Sequence, residues 1–260
     1  MSTFRLVGVL HLPPLPGAAN YGGACVREMA KTAAADAKIL EAAGFTDVMV
    51  QDASDNPQPS LVGAPTVAAL AVVGAAVRAA TSLGLGVIVG HNDGAASVAV
   101  AHAVGAQFVR VKVLTGVSAG PTGFIQGCSL QVAQMKRLLG SEVEVWADAH
   151  EATSASLLGD TPWAAAQAVA FGGANKLIVT RDSGVGDAID DIARVKAELG
   201  AGIDVLVGGR VTAESLPAVL RGADGAILGS VLKTSGGSAP RIDAARADHL
   251  GSLYRDSLPR

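Results

Sequence analysis

The feature that most constrains the fold is a repeated alternation. Short apolar runs occur near 6–12, 47–52, 86–93, 108–114, 143–150, 176–182, 204–209 and 225–233. Ala-rich helical stretches lie between them, at about 25–43, 64–83, 94–104, 127–140, 161–171, 187–199 and 212–221, and one at about 240–256 closes the chain. Strands that alternate with helices imply parallel βαβ units. Eight units in 260 residues match the roughly 250 residues of a (β/α)8 barrel. The expectation is an α/β fold, a single-domain (β/α)8 TIM barrel over 1–260. Gly44, Gly84, Gly140 and Gly200 fall just after helical stretches, where a left-handed residue ends a helix. Thr212 reads as the N-cap of the seventh helix, with Glu214 in its first turn.

Composition excludes several classes. Half of the residues are hydrophobic but only 3% are aromatic, so Ala, Val, Leu and Gly must build the core. Net charge is −3 without a long run of one sign, which leaves no electrostatic footprint for nucleic acid. Cys25 and Cys128 stand in unrelated contexts and form neither a zinc pattern nor a disulfide framework. The apolar run at 6–12 contains His11 and meets Pro13-Pro14; it is too short to span a bilayer and lacks a cleavage-site pattern. The Ala-rich segment 67–77 fits a buried helix. A cytoplasmic protein with no integral membrane segment and with reduced thiols is expected, and a homo-oligomer is compatible with it.

Barrel enzymes carry their catalytic groups at the C-terminal ends of the strands. The runs end in polar residues again and again: His11, Gln51-Asp52, His91-Asn92-Asp93, Asp148 and His150, and Arg181-Asp182. Asp93, just before Gly94 and a helix, reads as an N-cap. Arg110 and Lys112 alternate with Val109, Val111 and Val113, so the two charges share a face that must point into the barrel. A buried cation needs an acidic partner or an anionic ligand; Asp148 and Asp52 are the nearest acidic candidates, and an internal structural ion pair that fills the barrel is the alternative. Asp148 and His150 sit two apart on one run, above Trp146, and can form an acid–base couple. With His11, His91 or Asp52 they can also hold a divalent metal, the weaker alternative because no compact metal motif is present. Lys112 can form a Schiff base with a ketone or bind an anion, and binding is the simpler role.

The last two runs end in Gly208-Gly209 and Gly229-Ser230. Glycine lets backbone N–H groups approach an anion, and barrels often hold phosphate after these two strands. The alternative is that the glycines only permit tight turns. Gly236 and Gly237 are candidates to close over the phosphate. Two loops, 53–65 with Pro57, Pro59 and Pro65, and 115–126, read as long segments without secondary structure that serve as lids or binding loops.

Several segments together resemble the BtpA (SgcQ-like) family: VGVLHLPPLPG near the start, FVRVKVLTG in the middle, ADAH, VLVGGRVT, GADGAILGSVLK and PRID. The resemblance covers nearly the whole length. It implies a barrel similar to the ribulose-phosphate-binding barrels, with phosphate at the last two strand ends. The family is named for a role in photosystem I accumulation in cyanobacteria, and other members look like enzymes of sugar or nucleoside metabolism. This chain departs from the family pattern at the catalytic face. It has VQDASD where VENFGD is usual and Lys112 where Asn is usual. It has Ala-His-Glu-Ala where Val-His-Val-Lys follows the fifth-strand Asp, and Arg181-Asp182-Ser183-Gly184 at the sixth strand end. These departures imply a subgroup with its own substrate or chemistry.

The functional expectation is an enzyme acting on a small phosphorylated metabolite, a phosphorylated sugar or nucleotide-like phosphate ester. Isomerisation, lyase chemistry and glycosidic cleavage all fit. Gly208, Gly209, Gly229 and Ser230 would hold the phosphate, with His11, His91 and Asn92 adding substrate contacts. Asp148 and His150 would move protons, Asp52 and Asp182 would assist or bind ribose hydroxyls, and Arg110 and Lys112 would stabilise negative charge. The rivals are a non-catalytic metabolite-binding or assembly-factor barrel, and a metal-dependent epimerase or hydrolase using His11, His91, Asp52 and Asp148. No motif demands a cofactor; a divalent metal is the one candidate.

Overall fold

Side-chain alternation along the apolar runs decides the architecture, because each run must bury one face inside a barrel and the other beneath helices. The computed structural model describes residues 4–54, 57–121, 123–234 and 241–258. The first half contains β1 (Arg5–His11), α1 (Val26–Ala42), β2 (Asp47–Gln51), α2 (Ala64–Ala80), β3 (Gly84–Ile88), α3 (Gly94–Val104) and β4 (Phe108–Val111). Then come β5 (Val117–Gly120), β6 (Gly123–Gln126), α4 (Ser129–Leu139), β7 (Glu144–His150), β8 (Ala155–Ser156), α5 (Thr161–Ala170) and β9 (Lys176–Val179). The chain finishes with α6 (Val185–Leu199), β10 (Asp204–Gly208), α7 (Leu216–Gly222), β11 (Gly225–Leu228), a 3-10 turn at Ser230–Leu232 and α8 (Ala244–Ser257).

Strands β1, β2, β3, β4, β7, β9, β10 and β11 pair in parallel, and β11 returns to β1 to close the barrel. The alternation places Val7, Val9, Met49, Ile88, Phe108, Trp146, Ile178, Leu206 and Ile227 inside as one cluster. Leu6, Leu10, Val48, Val109, Val111 and Val145 lie outside it, in the layer beneath the helices. Phe108 and Trp146 stack with ring centroids 3.7 Å apart and planes within 7°. They fill the barrel because β3 makes room: a Cβ on Gly86 would stand 2.1 Å from the Phe108 ring. At the N-terminal end of the barrel, Arg5 pairs with Asp47, and Lys176 with Asp204 at 2.6 Å.

Several boundaries differ from the sequence expectation. The segment 115–126 is not a bare loop. It forms the antiparallel hairpin β5–β6, and β8 adds to β5 as a third strand. Gly84 is not a helix terminator: α2 ends at Ala80 with Thr81 extended, and Gly84 opens β3 because a Cβ there would meet Asp47 Oδ1. Gly44, Gly140 and Gly200 do follow their helices with positive φ. Helix α7 starts at Leu216 rather than near 212, with Ser215 in the capping position. Thr212 instead exchanges hydrogen bonds with Ser215 in a turn ahead of the helix. Gly236 and Gly237 lie outside the described residues. Among the described residues, no helix is long and apolar enough to cross a membrane.

Candidate active site

The C-terminal strand ends gather the polar side chains, and each can be traced to its element. Arg110 lies on β4 with Phe108, on the inward face, as the alternation requires. Its guanidinium grips Asp148 of β7 with two bonds, Nε to Oδ1 at 2.9 Å and Nη2 to Oδ2 at 2.7 Å. Asp148 is therefore the ion-pair partner of the buried arginine, and Asp52 acts on Lys112 through its charge. Burial works against the Arg110 charge, but Asp148 outweighs it and holds the guanidinium firmly protonated. Burial pushes the Asp148 carboxyl up, with Arg110 opposing.

Lys112 follows the last residue of β4 and is half-buried. It lines a cavity of ≈ 40 Å³ together with Asp148, Glu151, Ser118 and Ser154. Burial lowers its pKa and Arg110 lowers it further; Glu151, Asp148 and Asp52 pull the other way, and the net direction is down. Glu151, directly after β7, is buried; Thr153 N donates to its Oε2 at 2.9 Å, while its Oε1 has no hydrogen-bond partner. Burial pushes Glu151 up, but the nearby Ser154 hydroxyl, hydrogen bonds from Thr153 and the charge on Lys112 outweigh it, so its net shift is down. Glu151 and Ser154 also line a wider cleft of ≈ 600 Å³ that reaches Pro121, Arg181 and Asp182.

Asp148 and His150 line the same cavity but are held by different partners. The register between β7 and β9 slips between them, pairing Asp148 with Ile178 and His150 with Val179. His150 is held at Nδ1 by the Thr180 carbonyl, 2.6 Å, and at Nε2 by Arg181 Nη1, 2.9 Å. A proton on Nδ1 satisfies both contacts, since Arg181 can only donate. Arg181 also donates to Thr161 Oγ1 at 2.8 Å and pairs with Asp191. Asp182 points outward on the rim, exposed, and accepts from Arg210 at 2.9 Å.

The side chains after β2 and β3 divide into tethers and open groups. Asp52 accepts from Gly90 N at 3.0 and 2.9 Å and from the Gln58 amide. Asn92, expected to add a substrate contact, is tied to the protein's own backbone. Its Oδ1 accepts from Val113 N at 2.8 Å, and its Nδ2 donates to the carbonyls of Val113 and Gln126. An amide so occupied holds the loop after β4. Asp93 caps α3, accepting from Ala96 N at 3.0 Å. His91 is buried and its Nε2 has no hydrogen-bond partner. Its pKa is lowered by burial, then by Lys112. His11, at the end of β1, is pushed down to about 4 by burial, Lys233 and Arg110. The four residues of the metal alternative, His11, His91, Asp52 and Asp148, do not converge. Among the described residues, no group of three or more His, Cys, Asp or Glu side chains is placed to hold a metal. Asp148 is held by Arg110 and Asp52 by Gly90 instead.

At the last two strand ends, Gly208, Gly209, Gly229 and Ser230 lie side by side, with Gly208 in register with Ile227. Gly208 is required sterically, because a Cβ would meet Thr180 Oγ1 at 2.2 Å. Gly229 backs onto His11, whose Cε1 would be 3.0 Å from a Cβ there. Gly209 has φ +69°, and Arg210 follows with φ +54°. The Gly209 N–H is consumed by the Ile227 carbonyl at 3.1 Å. The N–H groups of Arg210, Val211, Ser230 and Val231 donate to no described residue.

Glu151, Thr180 and Lys233 belong to this region and were not singled out from the sequence. Lys233 Nζ donates to the Val9 carbonyl at 2.6 Å, and burial brings its pKa down to about 8. The signal for Glu151 was present, since it stands within the Ala-His-Glu-Ala departure.

Eight parallel strands closed into a barrel, with ionisable side chains gathered at their C-terminal ends, define the (β/α)8 class. Within it, the chain belongs to the BtpA family, whose model matches residues 3–255. An uncharacterized protein of Thermococcus kodakarensis is 37% identical over 252 residues, 96% of this chain and 95% of its own. The photosystem I biogenesis protein BtpA of Synechocystis is 30% identical over 258 residues, 97% of this chain and 88% of its own. Among solved structures, native KDPGal superposes with TM-score 0.59 at 18% identity, covering 98% and 97% of the two chains. N-(5′-phosphoribosyl)anthranilate isomerase from Pyrococcus furiosus superposes with TM-score 0.57 at 11% identity, covering 97% and 99%. At these identities the likeness is one of fold.

Proposed function

We propose that the protein is an enzyme acting on a phosphorylated sugar or nucleotide-like phosphate ester. The observation that carries the reading is the pair of adjacent strand ends, where four N–H groups donate to no described residue beside glycines that keep the backbone bare. N–H groups of that kind favour an anion, and barrels commonly use this end for phosphate. Gly208, Gly209 and Gly229 keep side chains out of the way, and the Ser230 hydroxyl adds a donor. The isomerase from P. furiosus carries a phosphoribosyl group in its name and shares the fold, which is consistent with this reading.

The reacting part of the substrate then lies toward β4 and β7. Arg110 and Asp148 form a charged floor. Lys112, Glu151 and His91 are the groups free to move protons, because Glu151 Oε1 and His91 Nε2 have no other hydrogen-bond partner. His11, neutral near pH 7 with its pKa at about 4, borders the phosphate end without opposing charge.

A thermal-shift screen against sugar phosphates, nucleotides and inorganic phosphate tests the reading. A ligand at 100 times its Kd that binds only the native state stabilises by about 2.7 kcal/mol. A selective shift with one phosphate ester, lost in a folded Gly229→Val protein, is expected. No shift with any phosphate compound would favour the rival reading, suggested by the name of the Synechocystis relative, in which the barrel assists assembly without catalysis.

A further inference from the structure

We propose that Lys112 is an amine nucleophile that condenses with the carbonyl group of a phosphorylated ketone or aldehyde. The proposal rests on the phosphate-ester reading above and specifies the functional group that the substrate must carry.

Lys176 and Lys196 are tied to Asp204 and Asp224 at 2.6 and 2.8 Å, and Lys233 to the Val9 carbonyl at 2.6 Å. Lys112, half-buried at a barrel strand end, has neither a hydrogen bond nor a salt bridge to any described residue. The nearby carboxylate that would ordinarily claim an ammonium, Asp148, is already gripped twice by Arg110. A structural lysine would take a fixed partner, because an unpaired buried ammonium is costly. An amine that must attack a carbonyl needs a free lone pair, which burial and a neighbouring cation favour. Both conditions act on Lys112, and its pKa moves down accordingly.

A proton carrier stands beside it. Glu151 lines the same cavity and presents a buried Oε1 with no partner, while Oε2 is anchored by Thr153. The steps balance with these groups alone. The Glu151 carboxylate takes a proton from the Lys112 ammonium; the neutral amine then forms a C–N bond to the carbonyl carbon, the π electrons move to oxygen, and the proton lost by the attacking nitrogen passes to that oxygen to give a carbinolamine. Glu151, once protonated, gives its proton to that hydroxyl, which leaves as water and yields an iminium. The Glu151 carboxylate, restored by that step, then takes the proton of an adjacent C–H bond, or the hydroxyl proton of a carbon fragment that departs as a carbonyl compound when an adjacent C–C bond breaks, and the freed electron pair moves into the iminium as an enamine forms. Reprotonation and addition of water return the amine and a carbonyl product, and no oxidant or reductant is required. Around the barrel, β4 is separated from β10 by β7 and β9. A substrate with its phosphate at the β10–β11 end would therefore extend its carbonyl across the mouth toward Lys112.

The test is reductive trapping. The whole protein is incubated with dihydroxyacetone phosphate, ribulose 5-phosphate or unphosphorylated dihydroxyacetone, then treated with sodium borohydride. Intact mass and peptide mapping locate the adduct. One reduced adduct on Lys112 with a phosphorylated ketone is expected, lowered at least about tenfold in Lys112→Met and Lys112→Arg. Lys112→Arg keeps the positive charge, so a site that merely binds an anion would keep its thermal shift while losing nothing else. Circular dichroism checks that both variants remain folded. A thermal shift with a phosphorylated ketone but no trapping on Lys112 overturns the nucleophile and leaves the phosphate-ester reading standing. Trapping on Lys112 by dihydroxyacetone as readily as by its phosphate, with no shift from inorganic phosphate, upholds the nucleophile and sinks the phosphate-ester reading. Labelling spread equally over many lysines, and unchanged in Lys112→Met, also overturns the proposal.

Discussion

Arg110 on β4 and Asp148 on β7 meet as a two-pronged ion pair, two residues along both strands from the stacked Phe108 and Trp146. The Asp148 side chain is fully buried and that of Arg110 nearly so. Removing one member leaves the other charged and dry. Asp148→Ala should therefore cost about 3–5 kcal/mol, read as a lower urea midpoint. The double replacement Arg110→Met with Asp148→Leu should recover most of that loss, because no bare charge remains. If Asp148→Ala unfolds at the wild-type midpoint, the pair does not seal the barrel.

Gly86 and Phe108 are matched across the β3–β4 pairing. A Cβ at position 86 would overlap a ring that is already pressed against Trp146 and cannot swing away. Gly86→Ala should destabilise by about 1–3 kcal/mol through overpacking. Adding Phe108→Leu, which frees the space, should reduce the cost of the alanine. The measurement is a double-mutant cycle by urea unfolding; strictly additive losses would show that the two positions do not compete for one volume.

The alternation in Phe108-Val109-Arg110-Val111 was enough to assign the inward face and to demand an acidic partner for Arg110, because those residues obey a strict two-residue period. At Asp148 and His150 the ladder carries a register slip invisible in the sequence, and the two side chains line one cavity with different hydrogen-bond partners. The hairpin over 115–126 was hidden because its Gly, Ser, Thr and Pro content reads as loop, and its pairing with β8 is a long-range contact. Asn92 illustrates a further limit of sequence reading. A polar residue after a barrel strand looks like a ligand contact, and only the positions of the Val113 and Gln126 backbone reveal that its amide is occupied. Among the phosphate candidates, the glycine pattern located the strand ends. The sequence did not show that the Gly209 N–H is taken by Ile227, nor that the N–H groups of Arg210, Val211, Ser230 and Val231 donate to no described residue.

His11 couples stability to pH. Its folded pKa is about 4 against an ordinary 6.5, so below pH 6.5 the unfolded chain takes up a proton that the folded chain refuses. The stability it contributes is complete above pH 6.5, declines as pH falls, and is gone below about 4. The size is at most about 3 kcal/mol. His11→Gln removes this titration, so the difference in unfolding free energy between wild type and variant should narrow from pH 7 to pH 4. A difference that stays constant over that range would mean that His11 titrates normally in the folded protein.

Asn92 positions Lys112 through the main chain. Its amide holds both the N–H and the carbonyl of Val113, the residue directly after Lys112, and also reaches the Gln126 carbonyl at the base of the hairpin. Asn92→Ala leaves those buried backbone groups unsatisfied and should cost about 1–3 kcal/mol. Asn92→Asp retains the acceptor for Val113 N but turns an oxygen toward two carbonyls, so it should cost more near neutral pH and less in acid, where the carboxyl carries a proton. Hydrogen exchange should quicken at Val113 in both variants and remain unchanged at the Arg5–Asp47 end of the barrel. If Lys112 is the nucleophile, borohydride trapping should also weaken in Asn92→Ala while its thermal shift with inorganic phosphate persists. Trapping at the wild-type level in a protein whose Val113 amide exchanges freely would separate Asn92 from the chemistry and leave it a purely structural tether.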